Sequence, residues 1–256
     1  MKIKNLEITT KVGCSNMCNH CPQEMLIREY ARISNKRYMT IKTFSECLEK
    51  VDTDVNIGFT GFSEPFLNTR TFRMIEIANQ RNPVYISTTL EGLNLSDIEF
   101  LESINFTQFA VHLPSKTGDN IPTHDAYLEV LRAVIDSDIP NKSYHYHGQE
   151  LHPRVSFVNA KRAGTHSRAG NIKDIKTKQK SGPVRCVRNF AHPVLLPNGD
   201  ISLCCMDYGL KHIIGNLLDQ SVEEIYSSDK FRSSVEASKR NGGSICHRCS
   251  AYGAKA

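Results

Sequence analysis

The sequence predicts an α/β protein in which a parallel sheet, open or barrel-like, is followed by a small cysteine-rich module. Strand and helix patterns alternate through the first 160 of the 256 residues, and repeated strand–helix units imply parallel strands. Cysteines gather in a loop near the start of the chain and again in its last third. Hydrophobic residues make up 39% and charged residues 23%, as in an ordinary globular protein.

Short apolar runs between turn residues predict six strands, at 4–10, 55–59, 84–89, 107–113, 143–148 and 154–159. Amphipathic segments between them predict helices at 40–51, 69–80, 96–104 and 123–137. Thr40 and Ser96 are the expected N-caps of the first and third helices. In folds of this kind the chemistry gathers in loops after the carboxyl ends of the strands.

The pattern changes after residue 160, and three regions are predicted: 1–160, a basic linker at 161–183, and a module at 184–256. Between residues 161 and 188, nine lysines and arginines accompany a single acid, Asp174. This run is interpreted either as a solvated linker or as a site for an anionic substrate. Nucleic acid is not an expected partner, because no aromatic residues are interleaved with the charges.

The C-terminal module carries two local signals. The segment PVLLPNGDISLCC has apolar runs on both sides of a Pro-Asn-Gly-Asp turn and predicts a hairpin. Ser221 and Glu224 have the spacing of a capping box, which predicts a helix start. The module has too little apolar content to be stable alone, so a metal is expected to stabilise it.

The chain carries no signal for export or membrane insertion. Its longest apolar runs are too short to cross a bilayer, and its N-terminus lacks a signal-peptide core. A cytoplasmic protein is therefore expected. Nine cysteines in such a protein favour metal binding or catalysis over a disulfide framework.

The loop CSNMCNHC follows the first predicted strand and contains Cys14, Cys18 and Cys21. Three thiolates are one fewer than the four that usually saturate a four-iron cluster, so one iron would stay open to an external ligand. A zinc site is the alternative, although zinc sites usually show paired CxxC motifs.

This spacing, with His20 before the last cysteine, resembles the cluster loop of the radical S-adenosylmethionine (AdoMet) enzymes. The resemblance implies a partial (β/α)6 barrel, and a 4Fe-4S cluster on the three cysteines. It also implies that S-adenosyl-L-methionine chelates the open iron and is cleaved to a 5′-deoxyadenosyl radical, which abstracts a hydrogen atom from a substrate. An external one-electron reductant such as flavodoxin or ferredoxin is then expected.

Two further segments extend the resemblance. FSEP follows the second strand and is similar to the family's GGEP segment, with Phe62 and Ser63 in place of the glycines. The triplet STT follows the third strand, where the family often carries Thr-Asn-Gly. The resemblance implies cofactor contacts at His20, Ser63, Glu64, Pro65, Ser87, Thr88 and His112. For His112 a packed strand-end histidine is an equal alternative.

The second cysteine set resembles the twitch module, a shortened SPASM domain. The resemblance implies an auxiliary 4Fe-4S cluster ligated by Cys186, Cys204, Cys246 and Cys249. Cys204 fits the pattern better than Cys205, because Gly199 stands five residues before it and an acid three residues after it. A zinc ribbon is the alternative. Cys47 is predicted to be a core residue, and Cys205 either packs beside the cluster or donates a hydrogen atom.

The reaction follows from the second cluster. With four cysteines it has no open iron, so it is expected to accept an electron while an alcohol becomes a ketone. The small twitch-type dehydrogenases of aminoglycoside and carbohydrate pathways are similar, which implies a small polar substrate that could be anionic: a sugar, aminocyclitol or nucleotide sugar. The candidate catalytic residues are Arg168, to hold the substrate oxygen, Cys205 and His112, with His145, His147 and His152 as lesser candidates for proton transfer.

Three alternatives stay open. An epimerase would return a hydrogen atom to the substrate from Cys205 or Cys47. A peptide-modifying enzyme would act on a side chain, although such enzymes usually carry a leader-binding domain and a full SPASM region. An iron–sulfur or zinc protein without enzymatic activity would carry electrons or organise partners.

Overall fold

The structure is a computed structural model that describes residues 3–172, 175, 177, 180–184, 186, 192–240 and 244–251. Within these residues nine strands form one sheet. In chain order they are β1 Asn5–Ile8, β2 Asn56–Phe59, β3 Val84–Thr88, β4 Phe106–His112, β5 Lys142–Tyr146, β6 Lys161–Arg162, β7 Val194–Leu195, β8 Asp200–Ser202 and β9 Ile213–Asn216.

The strand order across the sheet is β6-β5-β4-β3-β2-β1-β7-β8-β9. The pairs from β6 to β1 are parallel, and β1 also pairs in parallel with β7. The pairs β7–β8 and β8–β9 are antiparallel. Since β6 and β9 are its two edges, the sheet is not closed, and the predicted α/β fold with an open, barrel-like parallel sheet is confirmed.

Helices connect the parallel strands and cover the sheet. They are α1 Gln23–Tyr30, α2 Ile41–Leu48, α3 Thr71–Asn79, α4 Ile98–Glu102 and α5 Asp125–Asp136, with α6 Val222–Ser227 and α7 Asp229–Lys239 in the C-terminal module. In α5 the buried positions Leu128, Leu131 and Val134 recur every three residues, so one face packs on the core. None of the helices in the described residues is long and apolar enough to cross a membrane.

Aromatic side chains fill the space between helices and sheet. Phe44 of α2 and Phe59 of β2 are fully buried, with ring centroids 5.8 Å apart. Close to them the buried Asn68 donates from Nδ2 to the carbonyls of Thr10, at 2.9 Å, and Met39, at 3.0 Å. Because a buried amide is costly without partners, these bonds fix the loop after β1 against the rest of the domain.

Several local predictions are confirmed. Thr40 caps α2 by accepting the Thr43 N–H at 3.0 Å. The hairpin lies at β7–β8, with Gly199 at φ +91° in its turn. Ser221 and Glu224 form both bonds of the capping box, at 3.2 and 2.7 Å. Helices α1 and α7 were not predicted.

Two local predictions are wrong. Residues 154–159 are not a strand: Pro153–Val155 form a 3-10 turn, and the sixth strand is β6. Pro153 sets the helical φ at the start of the turn, and the buried Val155 and Val158 are three residues apart instead of alternating. Ser96 is not a cap, because it lies inside the 3-10 turn Leu95–Asp97. The N-cap of that turn is Asn94, which donates its N–H to Asp97 at 2.7 Å.

The basic run is described in part. Lys161 and Arg162 form β6, and Arg168 and Lys180 are also described. The other members of the run, with its acid, lie outside the described residues: Lys173, Asp174, Lys176, Lys178, Arg185 and Arg188.

Gly61, two residues after β2, provides a test of this packing. Its φ of +47° is left-handed, and a Cβ there would lie 2.8 Å from the Ile8 carbonyl oxygen. We expect Gly61→Ala to lower the free energy of unfolding by about 1–3 kcal/mol. Chemical denaturation measures it, with Gly209→Ala as the control, because the nearest atom to a Cβ there is 3.6 Å away. Equal stability of the two variants would contradict the packing described.

Candidate functional site

A cavity of about 500 Å³ opens at the carboxyl ends of the parallel strands. It brings together most of the site residues predicted from the sequence, which are Cys14, Cys18, His20, Cys21, Ser63, Glu64, Ser87, Thr88, His112, Arg168 and Cys205. Pro65 does not line it but is buried beside it, where its carbonyl accepts the Thr10 hydroxyl at 3.0 Å. The four predicted auxiliary cysteines lie elsewhere.

The three-cysteine loop follows β1 and is held by its own backbone. Gly13, at φ +99°, and Met17, at φ 42°, take left-handed conformations that turn the chain sharply. The Val12 carbonyl accepts the Arg37 guanidinium at 3.2 Å. The Cys21 N–H donates to the Cys18 carbonyl at 2.9 Å. The loop therefore presents its thiols into one region of the cavity.

The surroundings of the loop thiols favour their ligation of a metal cluster. Desolvation raises the pKa of Cys18 well above its usual value, and the negative charge of Cys21 adds to the shift. Desolvation raises the pKa of Cys14 as well, although hydrogen bonds with the Asn16 and Glu64 backbone partly offset the shift. Ionised neighbours would repel one another here, and bound iron would relieve that repulsion, because metal ligation requires thiolates.

The Cys21 sulfur has two hydrogen-bonding neighbours. Nε2 of the buried Gln23 donates to it at 3.2 Å, and the Tyr208 hydroxyl lies 3.3 Å away. Tyr208 is buried, and it packs edge-on against Phe62 with ring centroids 4.8 Å apart. Because Tyr208 belongs to the C-terminal module, these contacts join that module directly to the cysteine loop.

Glu64 is a buried carboxyl held by a dense set of donors. It accepts the hydroxyls of Thr88, at 2.7 Å, and Thr89, at 2.8 Å. It also accepts the backbone N–H groups of Thr89, at 2.6 Å, and Phe66, at 3.2 Å. Burial raises its pKa to about 7, although these hydrogen bonds favour the ionised form. The carboxyl is therefore rigidly placed at the cavity wall.

Two cavity residues keep oxygens without hydrogen-bond partners among the described residues. They are Oδ1 of Asn16 and Oε1 of Gln23, both buried. Asn16 is oriented by its Nδ2, which donates to the Thr89 hydroxyl at 2.9 Å. Buried acceptors without partners are costly, so these oxygens fit a ligand that brings its own donors.

Arg168 enters the cavity on a strained turn. Arg168 and Ala169 have φ of 45° and 56°, conformations that cost non-glycine residues about 1–3 kcal/mol each. Ser167 anchors the turn to the C-terminal module, since its N–H donates to the Ser250 hydroxyl at 2.7 Å. The guanidinium lies 5.6 Å from the centre of the Tyr208 ring. Such strain at a cavity wall is typical of functional sites.

Histidines line the cavity beside Arg168. The rings of His20 and His147 have centroids 4.3 Å apart, and Nε2 of His147 lies 3.1 Å from Nδ1 of His112. The other two candidates do not line the cavity: His145 contacts the Ser143 hydroxyl at 3.2 Å, and His152 caps a 3-10 turn.

The cysteines of the C-terminal module form two sets of neighbours. Desolvation raises the pKa of Cys249, and the charges of Cys246 and Cys186 contribute, so these three are neighbours. Cys204 follows β8, and a hydrogen bond with Cys205 is the largest cause of its raised pKa. Among the described residues, no three His, Cys, Asp or Glu side chains are arranged to hold a single metal ion.

The two remaining thiols differ in position. Cys205 lines the cavity, whereas Cys47 is fully buried in the core on α2, where desolvation raises its pKa to about 12. The prediction of Cys47 as a core residue is confirmed.

Sequence reasoning missed several cavity residues, namely Glu7, Asn16, Gln23, Met206 and Tyr208. Asn16 lies within the cysteine loop and Gln23 just after it, so their position in the sequence was sufficient to predict them as site residues. Nothing in the local sequence marks Glu7 or Tyr208.

Comparisons with known proteins bear on these features. Residues 186–250 match the SPASM family model, an iron–sulfur cluster-binding domain. The sequence matches no curated protein. A crystal structure of BtrN in complex with AdoMet and 2-DOIA is similar, with a TM-score of 0.70, 19% identity, and coverage of 98% of this chain and 94% of that one.

Two other solved structures share the fold. Streptococcus suis SuiB has a TM-score of 0.57 at 12% identity, covering 92% of this chain and 68% of its own. Native anSMEcpe with bound AdoMet has a TM-score of 0.58 at 14% identity, covering 91% of this chain and 83% of its own. The predicted resemblance is thus confirmed at the level of the fold: the chain shares the fold of these three structures, two of them solved with bound AdoMet, and its residues 186–250 match an iron–sulfur domain of the SPASM type. The assignments of single residues stay predictions.

Iron content tests which of the adjacent cysteines holds the auxiliary cluster. After anaerobic reconstitution we expect about eight irons per chain, as for two four-iron clusters. Cys204→Ser should lower this to about four, because a cluster needs its full ligand set. Cys205→Ser is the matched control and should keep all of it. The reverse pattern would assign the ligand to Cys205, and about four irons together with bound zinc in the wild type would indicate a zinc module.

Proposed function

We propose that this chain is a radical AdoMet oxidoreductase that removes a hydrogen atom from a C–H bond of a small polar substrate and oxidises an alcohol to a ketone. A sugar, an aminocyclitol or a nucleotide sugar is the substrate class, and the auxiliary 4Fe-4S cluster is the electron acceptor. One observation carries the proposal: the three-cysteine loop, the Glu64 carboxyl, Arg168 and Cys205 line a single cavity beside the iron–sulfur domain.

The residues around the loop have distinct tasks in this proposal. Cys14, Cys18 and Cys21 hold the cluster, and the buried neighbours Gln23 and Tyr208 support the Cys21 sulfur. When bound, the cluster and AdoMet supply the 5′-deoxyadenosyl radical that takes the hydrogen atom. An external one-electron donor such as flavodoxin or ferredoxin is the proposed partner.

Glu64 is the proposed contact of the AdoMet ammonium group. The carboxyl cannot turn away, because Thr88, Thr89 and the Phe66 N–H hold it. A fixed carboxylate in a desolvated wall attracts a cation more strongly than an exposed one. The free oxygens of Asn16 and Gln23 are further acceptors for a polar ligand.

Arg168 is the proposed holder of the substrate oxygen. Desolvation acts against its charge, but Tyr208 and Cys21 outweigh it, and the net effect raises the pKa of Arg168. The guanidinium therefore stays cationic and stabilises negative charge that develops on an oxygen. The Ser167 hydroxyl donates to the Arg248 carbonyl at 3.1 Å, and this bond holds the strained turn that carries Arg168.

The proposed ligands of the auxiliary cluster support its role as the electron acceptor. Cys205 lines the cavity, and the adjacent Cys204 is a proposed ligand of that cluster. A substrate in the cavity would then lie beside Cys205, the residue next to the proposed ligand Cys204. The similarity to BtrN, solved with 2-DOIA, supports a small substrate, while SuiB has been solved with the precursor peptide SuiA. The chain covers 94% of the first and 71% of the second.

A second candidate function is supported by the position of Cys205. A thiol in the cavity wall could return a hydrogen atom to the substrate radical, which would make the enzyme an epimerase. Cys47 is enclosed in the core and is not placed for this role.

Turnover with carbon-deuterated substrates tests the proposal. With the reconstituted, reduced enzyme we expect deuterium in 5′-deoxyadenosine, a ketone product, and one AdoMet consumed per ketone. Cys205→Ala should retain ketone formation, and Cys47→Ala is the matched thiol control. Solvent hydrogen at an inverted carbon, abolished in Cys205→Ala, would establish the epimerase instead. Modification of a peptide would establish the third enzymatic alternative, and no AdoMet cleavage under reduction would favour a non-enzymatic role.

The pKa of Glu64 predicts how AdoMet affinity depends on pH. Its raised value, about 7, means that the carboxyl is ionised above pH 7 and neutral below it. We expect AdoMet affinity to fall about tenfold between pH 7.5 and pH 6, because the neutral acid no longer attracts the ammonium group. Equilibrium dialysis with labelled AdoMet measures this.

Two variants check this assignment. Glu64→Gln should bind more weakly at pH 8 and lose the pH dependence. Glu91→Gln removes a nearby acid that bonds the Ser15 hydroxyl, and it should keep the wild-type profile. A Glu64→Gln variant that still shows the wild-type pH dependence would contradict the assignment.

A further inference from the structure

Alcohol oxidation in this cavity needs a group that accepts the hydroxyl proton. Arg168 cannot serve, because a guanidinium is permanently protonated in proteins. Glu64 has four hydrogen-bond donors already. Glu7, the other cavity acid, lies 3.4 Å from the His192 ring. The imidazoles of the cavity wall are the remaining candidates with a lone pair to offer.

His112 and His147 form a hydrogen-bonded pair at the ends of two neighbouring strands. His112 is the last residue of β4, and His147 follows directly after β5. Nε2 of His147 lies 3.1 Å from Nδ1 of His112, and the ring centroids are 5.0 Å apart. Both residues line the cavity together with Arg168.

The chemistry of this contact suits proton transfer. When both rings are neutral, one nitrogen of the contact donates and the other accepts. The outer nitrogens of the pair are then one N–H and one bare acceptor, whichever tautomer is present. A proton taken up at the bare end can therefore be matched by release at the other end. Nδ1 of His147 is buried close to the Gly164 backbone, an interaction that raises the pKa of His147 and therefore favours an N–H at this position. The bare outer nitrogen of the pair is then Nε2 of His112.

The surroundings keep the pair neutral. Desolvation lowers the pKa of His147 to about 4, and the charge of Arg168 contributes. Desolvation also lowers the pKa of His112 to about 3, with His147 as the next cause. The titratable groups that act on the pair from neighbouring elements are His20, His145, His166 and Arg168. The neutral pair thus keeps one free lone pair, on its bare outer nitrogen, at neutral pH.

We propose that His112 is a catalytic residue whose Nε2 accepts the hydroxyl proton of the alcohol substrate, and that His147 is its positioning residue. This inference rests on the proposed function. The carbon–hydrogen bond gives its hydrogen atom to the AdoMet-derived radical, the oxygen–hydrogen bond gives its proton to His112, and one electron passes to the auxiliary iron–sulfur cluster. The carbon–oxygen bond becomes a carbonyl, so atoms and electrons balance.

The inference narrows the earlier set of candidates. Of the histidines considered for proton transfer, His145 and His152 are outside the cavity wall. Arg168 keeps its role at the substrate oxygen, where it stabilises the charge that grows as the proton leaves. A cation and a neutral acceptor are therefore offered to the same hydroxyl.

The test compares two products of one reaction in His147→Gln and His112→Gln. Carbon-deuterated substrate is turned over by the reconstituted enzyme, and labelled 5′-deoxyadenosine and ketone are both quantified. For His112→Gln at pH 7 we expect ketone formation to fall about a hundredfold, as for loss of a general base. Labelled 5′-deoxyadenosine should stay within about threefold, since hydrogen-atom abstraction does not need the base.

Further readouts separate catalysis from folding. Iron content and the dissociation constants of substrate and AdoMet should match the wild type, because glutamine preserves a hydrogen bond at each position. At saturating AdoMet, the ketone formed per labelled 5′-deoxyadenosine should be level from pH 6 to 9 in the wild type and should rise with pH in both variants, where hydroxide replaces the imidazole. His145→Gln, on the same strand but outside the cavity wall, is the control and should behave as the wild type.

The outcomes are distinguishable. A ketone-to-5′-deoxyadenosine ratio in both variants equal to that of the wild type would overturn the inference and leave the proposed function intact. Weaker substrate binding with an unchanged ratio would also overturn it, because the pair would then be a binding element. A wild-type enzyme that forms labelled 5′-deoxyadenosine and no ketone would overturn the proposed function and this inference with it.

Discussion

The site depends on the parallel pairing of β1 with β7. Glu7 pairs in register with Val194, so the C-terminal module extends the same sheet instead of forming a separate body. This pairing places Tyr208 3.3 Å from the Cys21 sulfur and lets Arg168 lie over the Tyr208 ring. The cavity therefore has one wall from the parallel strands and one from the iron–sulfur domain, and it would lose its second wall if the pairing failed.

Desolvation is the common cause of the electrostatics in this cavity. It raises the pKa of Glu64, Cys14 and Cys18, and it lowers the pKa of His112 and His147. At neutral pH the two imidazoles are thus uncharged, and the guanidinium of Arg168 is a fixed cation beside them. Charges brought by a ligand or formed during reaction are then weakly screened, which strengthens their interaction with each fixed group.

Features that depend on residues close together in the chain could be predicted from the sequence. Strand and helix periods, the Thr40 and Ser221 caps, and the three-cysteine loop depend on short spacings, and they are predictable. The Cys21–Tyr208 contact joins residues 187 positions apart, and the His112–His147 pair depends on the register of β4 and β5. No local pattern encodes such contacts. The error at 154–159 has a local cause: β-branched residues favour a strand, whereas the buried Val155 and Val158 are three residues apart, a spacing that does not alternate.

In the proposed reaction, the fate of the substrate radical depends on which group reaches it first. Oxidation removes a proton and an electron, and the His112–His147 pair and the iron–sulfur domain offer acceptors for them. Epimerisation needs a single hydrogen atom, and the Cys205 thiol offers one from the same cavity. Because a ketyl is a far stronger reductant than its protonated form, removal of the proton commits the radical to electron loss. A base beside the substrate oxygen therefore shifts the balance towards the ketone, even with a thiol present in the wall.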